Sequence, residues 1–352
     1  MADPKILFAT LGMVILDDVY FHDDTAIYDA LGGSGTYSTL GARLFCSEPG
    51  SAPSSIGWAM RIGVGFPGET LDKLKSWGTT LHLIHEPSSG ATRGLVRYQD
   101  ATLGSKTFKY NSMPLWTLPE HFANSASLSS SAFHFFAPPS GVFRDVPKLL
   151  SLRQQDGITE RPLIIWEPTP FTCTPKFLGA YLKAVSSLVD VFSPNHMELA
   201  GLFGVDLEQI EQRFDREVYE GLTKRFVDKG IGEGKKGWIV LRAGEHGCMV
   251  HGGDMDSPQW LPPYYESNSQ KVVDSTGAGN SFLGGFAIGL VETGDIMEAA
   301  AYGTVAASFA IEQMGVPELT AAGGERPGEL WNGEVVRGRL ETYKARIRNG
   351  AS

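Results

Sequence analysis

Short apolar runs alternate with stretches of helical period along most of the chain. This alternation predicts an α/β fold with a mainly parallel central sheet. Residues 5–11 read as a first strand and 33–45 as a helix entered through glycines. Strand 56–64, short helix 69–77 and strand 80–85 (TLHLIH) follow. The runs 93–99 (RGLVRYQ) and 106–110 (KTFKY) flank a DATLG turn, the pattern of a β-hairpin that the main sheet does not need. It is assigned to a small accessory sheet. Strands 131–136 and 162–167 bracket a helix near 143–155, and 189–193 (VDVFS) is a short buried strand. A charged helix or helix pair covers 207–229, ahead of strands at 238–242, 247–251 and 271–273. Two glycine- and alanine-rich helices, 277–291 and 295–312, and a basic helix near 333–348 complete the pattern.

Composition narrows the function. The 352 residues, 42% hydrophobic, have ample material for a core. The net charge of −10 argues against nucleic acid and anionic membranes, which need a basic face. No run approaches the length of a membrane span. The first residues read as a strand rather than a signal peptide. Cys46, Cys173 and Cys248 are too far apart for a disulfide framework or a zinc site, so a reduced, cytoplasmic setting is expected. Arg337, Arg339, Lys344, Arg346 and Arg348 are interleaved with Glu334 and Glu341, which reads as a solvated helix face. Glycine is in surplus, at 42 residues, and marks tight turns and close backbone approaches.

The most informative segment is 272–290, VVDSTGAGNSFLGGFAIGL. A β-branched run ends at Asp274, a turn through Gly277, Ala278 and Gly279 follows, and an apolar helix begins. The free N–H groups of a first helical turn, with the helix dipole, make an anion hole suited to phosphate. Gly284, Gly285, Ala287 and Gly289 allow this helix to pack closely on a neighbour. Asn195 and Glu198, spaced i, i+3 at a helix start, project to one side.

These residues resemble the ribokinase-like, or PfkB, carbohydrate kinases. Their C-terminal signature, D-[TS]-x-G-A-G-D, is matched by 274–280 except at the last position, where the family's catalytic aspartate is Asn280. Asp17, after Gly12, resembles the substrate aspartate of the first strand, with Asp18 as a competitor. Gly32-Gly33-Ser34-Gly35 resembles the N-terminal GG signature, with Tyr37 at the usual asparagine. Pro194-Asn195-His196-Met197-Glu198 matches P-N-x-x-E. Residues 242–247 match T-x-G-x-x-G in their glycines, with Arg242 at the threonine. The resemblance spans about residues 5–317. It implies a three-layer sandwich as one domain over 1–352, with a β-lid from about 13–22 and 91–112. It implies ATP with Mg²⁺ as cofactors and a hydroxyl of a sugar, polyol or nucleoside as acceptor. An exposed lid edge can pair with another lid, so a lid-mediated homodimer is one option. The resemblance sets the acceptor among Asp17, Gly32, Gly33, Tyr37 and Arg93. It sets the nucleotide against Arg242, Gly244, Gly247, Asp274, Thr276 and Ser308, and Mg²⁺, through water, near Asn195 and Glu198. Gly277, Ala278 and Gly279 would hold the transferring phosphate, and Asn280 would stand at the base position.

An amide cannot serve as a general base at neutral pH, though it can donate and accept hydrogen bonds. General-base catalysis is worth ~10²–10⁴ in rate, so its loss implies a slow kinase, one with another base such as Asp17 or Asp274, or a silent ligand-binding or scaffold protein. A third reading comes from Gly63-Val64-Gly65-Phe66-Pro67-Gly68, which with Glu86 imitates a dinucleotide-binding fingerprint and suggests an NAD-dependent oxidoreductase. Pro67 and the short helix count against it. His82 and His85 point to opposite strand faces and do not share a metal. Glu167 is a candidate supporting acid beside the phosphate. Cys173 and Ser34 lack the context of a nucleophile.

Overall fold

In the computed structural model, which describes residues 5–46, 52–100, 103, 106–206, 213–253, 255–266, 268–321 and 329–350, nine strands form one sheet. From edge to edge they are Gln259–Leu261, Cys248–Gly252, Trp238–Arg242, Val191–Phe192, Leu163–Pro168, Ala132–Ala137, Phe8–Thr10, Ile56–Val64 and Thr80–Gly90. Pairing is parallel from Trp238–Arg242 to Thr80–Gly90 and antiparallel among the three strands of the other edge. Successive side chains of a strand point to opposite faces. Val240 accordingly joins one core while Ile239 and Leu241 join another. Helices therefore cover both faces, giving three layers.

The first core is closed by helices Ser34–Arg43, Ala278–Thr293 and Ile296–Ala310. The first two meet backbone to backbone. A Cβ on Gly284 would lie 1.9 Å from the Ser38 carbonyl oxygen, and one on Gly41 would lie 2.0 Å from that of Ser281. The second core is closed by Pro139–Gln155, Leu178–Val185 and Arg216–Lys229. Among the described residues, no helix is long and apolar enough to cross a membrane.

A second sheet of four strands, Ala26–Gly32, Ile15–Tyr20, Arg93–Tyr98 and Lys106–Tyr110, forms the lid. Its first strand was not expected from the sequence. The strand expected at 271–273 is absent, because Val272 and Val273 lie on an irregular, exposed stretch. Part of the predicted 207–229 helix, residues 207–212, lies outside the described residues.

The C-terminal helix, Val336–Gly350, corrects the reading of a solvated basic face. Arg339 is buried and pairs with Glu312 at 2.8 Å and Glu334 at 2.9 Å. Arg337 pairs with Glu292, Lys344 with Glu298, and Arg346 donates to the carbonyls of Pro263 and Tyr264. The cations fasten the helix to the body of the protein.

Candidate functional site

Parallel strands offer their carboxyl ends to ligands. Here Gly12 follows Phe8–Thr10, and His134 lies in Ala132–Ala137. Glu167 lies near the end of Leu163–Pro168, Asn195 lies just past Val191–Phe192, and Arg242 ends Trp238–Arg242. Five neighbouring strands thus contribute to one crevice, over which the helix Ala278–Thr293 presents its N-terminus.

One side of the crevice is built around Arg242. Its Nη1 is 2.9 Å from Glu167 Oε1, and its Nη2 donates to the Ser193 carbonyl at 2.9 Å and lies 3.5 Å from Glu198 Oε2. The guanidinium lies against the first turn of the helix, where a Cβ on Gly279 would be 2.0 Å from Nη1. Glu167 Oε2 accepts from the Asn280 amide at 2.5 Å and lies 3.1 Å from His134 Nε2. His134 Nδ1 is 3.0 Å from Thr10 Oγ1, which accepts the Gly12 N–H. Burial alone would raise the Glu167 pKa, but Arg242, His134 and Asn280 outweigh it and hold the carboxyl below the ordinary range. Burial dominates at Glu198, which is pushed up to about 7 against the pull of Arg242.

Asn195 and Glu198 form a reciprocal cap on helix His196–Leu202. Glu198 N–H donates to Asn195 Oδ1 at 2.8 Å and Asn195 N–H to Glu198 Oε2 at 2.7 Å. Glu198 Oε2 is thus shared between a backbone amide and a guanidinium. The committed Oε2 is therefore a poor ligand for a divalent ion, which favours uncommitted carboxylate oxygens and water.

Gly277, at φ +75°, caps the helix in the left-handed region, and a Cβ there would lie 2.2 Å from the Tyr37 ring. Ala278 N–H donates to the Ser275 carbonyl, so this amide is turned inward. Asp274 accepts from Tyr98 Oη at 2.8 Å, Lys106 Nζ at 3.2 Å and Thr276 N–H at 3.0 Å. Tyr98 and Lys106 belong to the lid, which is latched onto this turn.

The side beneath the lid is different. Asp17 is buried, and its Oδ1 has no hydrogen-bond partner. Gly32 and Gly94 cradle the carboxyl, since a Cβ on either would come within 2.0 Å and 2.1 Å of its two oxygens. Burial, then Asp18, pushes Asp17 up to about 7. Tyr37, Tyr98 and Tyr110 all feel the Asp17 charge, so three phenols surround it.

Several expected contacts are placed elsewhere. Arg93 is paired with Asp18 at 2.6 Å and Asp29 at 2.7 Å. Strand alternation puts Arg93 and Asp18 on the lid face opposite Asp17, so Arg93 does not point at the acceptor space. Ser308 is buried, donates to the Val305 carbonyl and accepts from Arg339, so no ligand reaches it. Gly33 packs on the Met13 carbonyl and Gly247 on the Leu261 carbonyl, while a Cβ on Gly244 would meet only the His196 ring, at 3.9 Å. Asp274 is committed to the latch, and Glu167 is the carboxylate that meets Asn280. In the dinucleotide-like segment, Glu86 is tied to Arg61 at 2.6 Å, and nothing crowds Gly65 or Gly68. The acid needed for a ribose is already engaged. His134, Tyr98 and Lys106 were missed in the sequence. A histidine within the apolar run AFHFFA was the available signal for the first.

Comparisons with known proteins agree with this architecture. The model of the pfkB family carbohydrate kinases matches residues 164–320. An uncharacterised protein of Schizosaccharomyces pombe is 33% identical over 347 residues, covering 96% of this chain and 92% of its own length. Protein MAK32 of Saccharomyces cerevisiae is 29% identical over 356 residues, covering 97% and 93%. Anopheles gambiae adenosine kinase, solved with P1,P4-di(adenosine-5) tetraphosphate, shares the fold with a TM-score of 0.68 at 18% identity, over 89% of this chain and 97% of that one. The glycine turn, the lid and the crevice at the strand ends thus belong to a chain that is a member of the pfkB family of carbohydrate kinases.

Proposed function

We propose that the chain binds ATP and transfers its terminal phosphoryl group slowly to a hydroxyl of a sugar, polyol or nucleoside. The observation that carries this reading is Asp17, a buried carboxylate with an unmet acceptor oxygen, cradled beneath the lid. An acceptor hydroxyl donating to Asp17 satisfies that oxygen. Phosphoryl transfer has a loose transition state, so catalysis rests on positioning and charge stabilisation. The Gly277 turn and the helix N-terminus supply the anion site, and the latched lid excludes water. Asn280 orients groups but removes no proton. Glu167, held ionised at low pKa, is a weak base. The Schizosaccharomyces pombe relative is itself uncharacterised, so the acceptor is defined by class only.

The test is a panel of sugars, polyols and nucleosides with ATP, read by ADP release and product mass. Slow turnover of at least one acceptor is expected. Asn280→Asp is expected to raise kcat by about 10²-fold or more, the scale of a restored general base. No product from either protein with any acceptor would sink the kinase reading in favour of a silent ligand-binding protein.

A further inference from the structure

The most unusual group in the crevice is the guanidinium of Arg242. A cation at a helix N-terminus stands at the positive end of the dipole, where it is disfavoured. Here Arg242 is held there by Glu167 and Glu198 and pressed against the first turn at Gly279. Its side chain is 10% exposed, and Nε is buried with no hydrogen-bond partner. The guanidinium therefore keeps one N–H without a partner. The helix terminus and the arginine fork lie together at Gly279, where both could donate hydrogen bonds to a phosphate.

The pair that would otherwise serve a divalent ion is already engaged at Glu198 Oε2 and Asn195 Oδ1. Asn195 and Glu198 cap one another, and Glu198 is within 3.5 Å of Arg242. A carboxylate already paired with a guanidinium attracts a second cation weakly, and the fixed charge beside it repels one.

We infer that Arg242 takes the place of the divalent cation at the phosphate subsite, so that this chain binds nucleotide phosphates without Mg²⁺. The inference rests on the nucleotide reading above and is separable from it. Titration calorimetry of the wild-type chain with ATP, in EDTA and in excess Mg²⁺, is the first arm and needs no variant. The expected affinity in EDTA is within about threefold of that in Mg²⁺. In EDTA, Arg242→Gln is expected to lose tenfold or more, and Arg242→Lys, which keeps the charge but not the fork, less than that. Circular dichroism confirms that each variant is folded. If Arg242→Gln does not fold, the EDTA arm and Arg242→Lys decide. Wild-type affinity that falls tenfold or more in EDTA overturns the inference and leaves the nucleotide reading standing. Undiminished binding by a folded Arg242→Gln in EDTA also overturns it. Absence of ATP binding in both buffers overturns the nucleotide reading, and the inference with it.

Discussion

The two halves of the crevice treat buried charge in opposite ways. On the phosphate side, Glu167 meets Arg242, His134 and Asn280, and Glu198 meets Arg242 and the Asn195 amide. On the acceptor side, Asp17 is buried with one oxygen unmet and a like charge, Asp18, as its neighbour. A network of paired charges holds its geometry without a ligand, even with Arg242 Nε unpartnered. An orphan carboxylate instead costs stability until something binds it, and it marks where binding energy is stored. The phosphate side is therefore preorganised, while the acceptor side is poised.

The largest break in this comparison removes Arg242. Arg242→Leu leaves Glu167 and Glu198 as buried carboxylates without their counter-ion. Removing one partner of a buried pair typically costs about 3–5 kcal/mol. Urea unfolding is expected to show a loss of that order near pH 7. The loss shrinks at low pH, where Glu198 is protonated first because its pKa is already raised. An unchanged midpoint at pH 7 would mean that the network carries no stability.

The acceptor side predicts the opposite sign. Asp17 has a folded pKa of about 7 against an ordinary value of 3.8. Between these values the folded state holds the proton more tightly than the unfolded one, so stability from this group falls as pH rises from about 4 to about 7. It is full below that window and absent above it. Asp17→Asn escapes the loss. The variant is expected to be more stable than the parent at pH 8 by on the order of 2 kcal/mol, within the ~4 kcal/mol ceiling set by the shift, and about equal at pH 4. Thermal melts at the two pH values check this, and a stability difference independent of pH would refute the burial argument. The same variant is expected to lose acceptor turnover.

Legibility in the sequence follows the same division. The strands at 56–64, 93–98 and 238–242 were readable because one or both of their faces meet a core, which imprints a pattern, while the mostly exposed strand at 106–110 was readable through the turn that pairs it with 93–98. The lid strand Ala26–Gly32 is mostly exposed, so it carries no such imprint. The pair Val272–Val273 carries β-branched residues but finds no strand partner, so propensity misled. The glycine turn at 277–279 was legible because its small residues are consecutive. Arg242 was visible only as a departure from a motif. Its partners come from residues 167, 193 and 198, and it presses on residue 279, so separate elements must fold together before its role exists.

Asp274 joins the two halves, and the smallest expected effect lies there. The residue belongs to the phosphate turn, yet its carboxyl is held by Tyr98 and Lys106 of the lid. Lys106 is a quarter exposed, so its ion pair with Asp274 is partly screened and worth roughly 1 kcal/mol. Lys106→Met keeps a stem of similar length and removes the charge, both from Asp274 and from over the Tyr98 ring. Tyr98 still donates to Asp274 in the variant, so the latch loosens rather than opens. The expected outcome is a fewfold faster amide hydrogen exchange in strands Arg93–Tyr98 and Lys106–Tyr110, with exchange in the central strands unchanged. Exchange that rises equally in the central sheet would show that Lys106 supports global stability and not the lid. Exchange that does not change at all would show that Tyr98 alone holds the latch. The comparison is sharpened by the first outcome, because a lid that loosens independently of the sheet lets the poised half of the crevice open while the preorganised half stays in place.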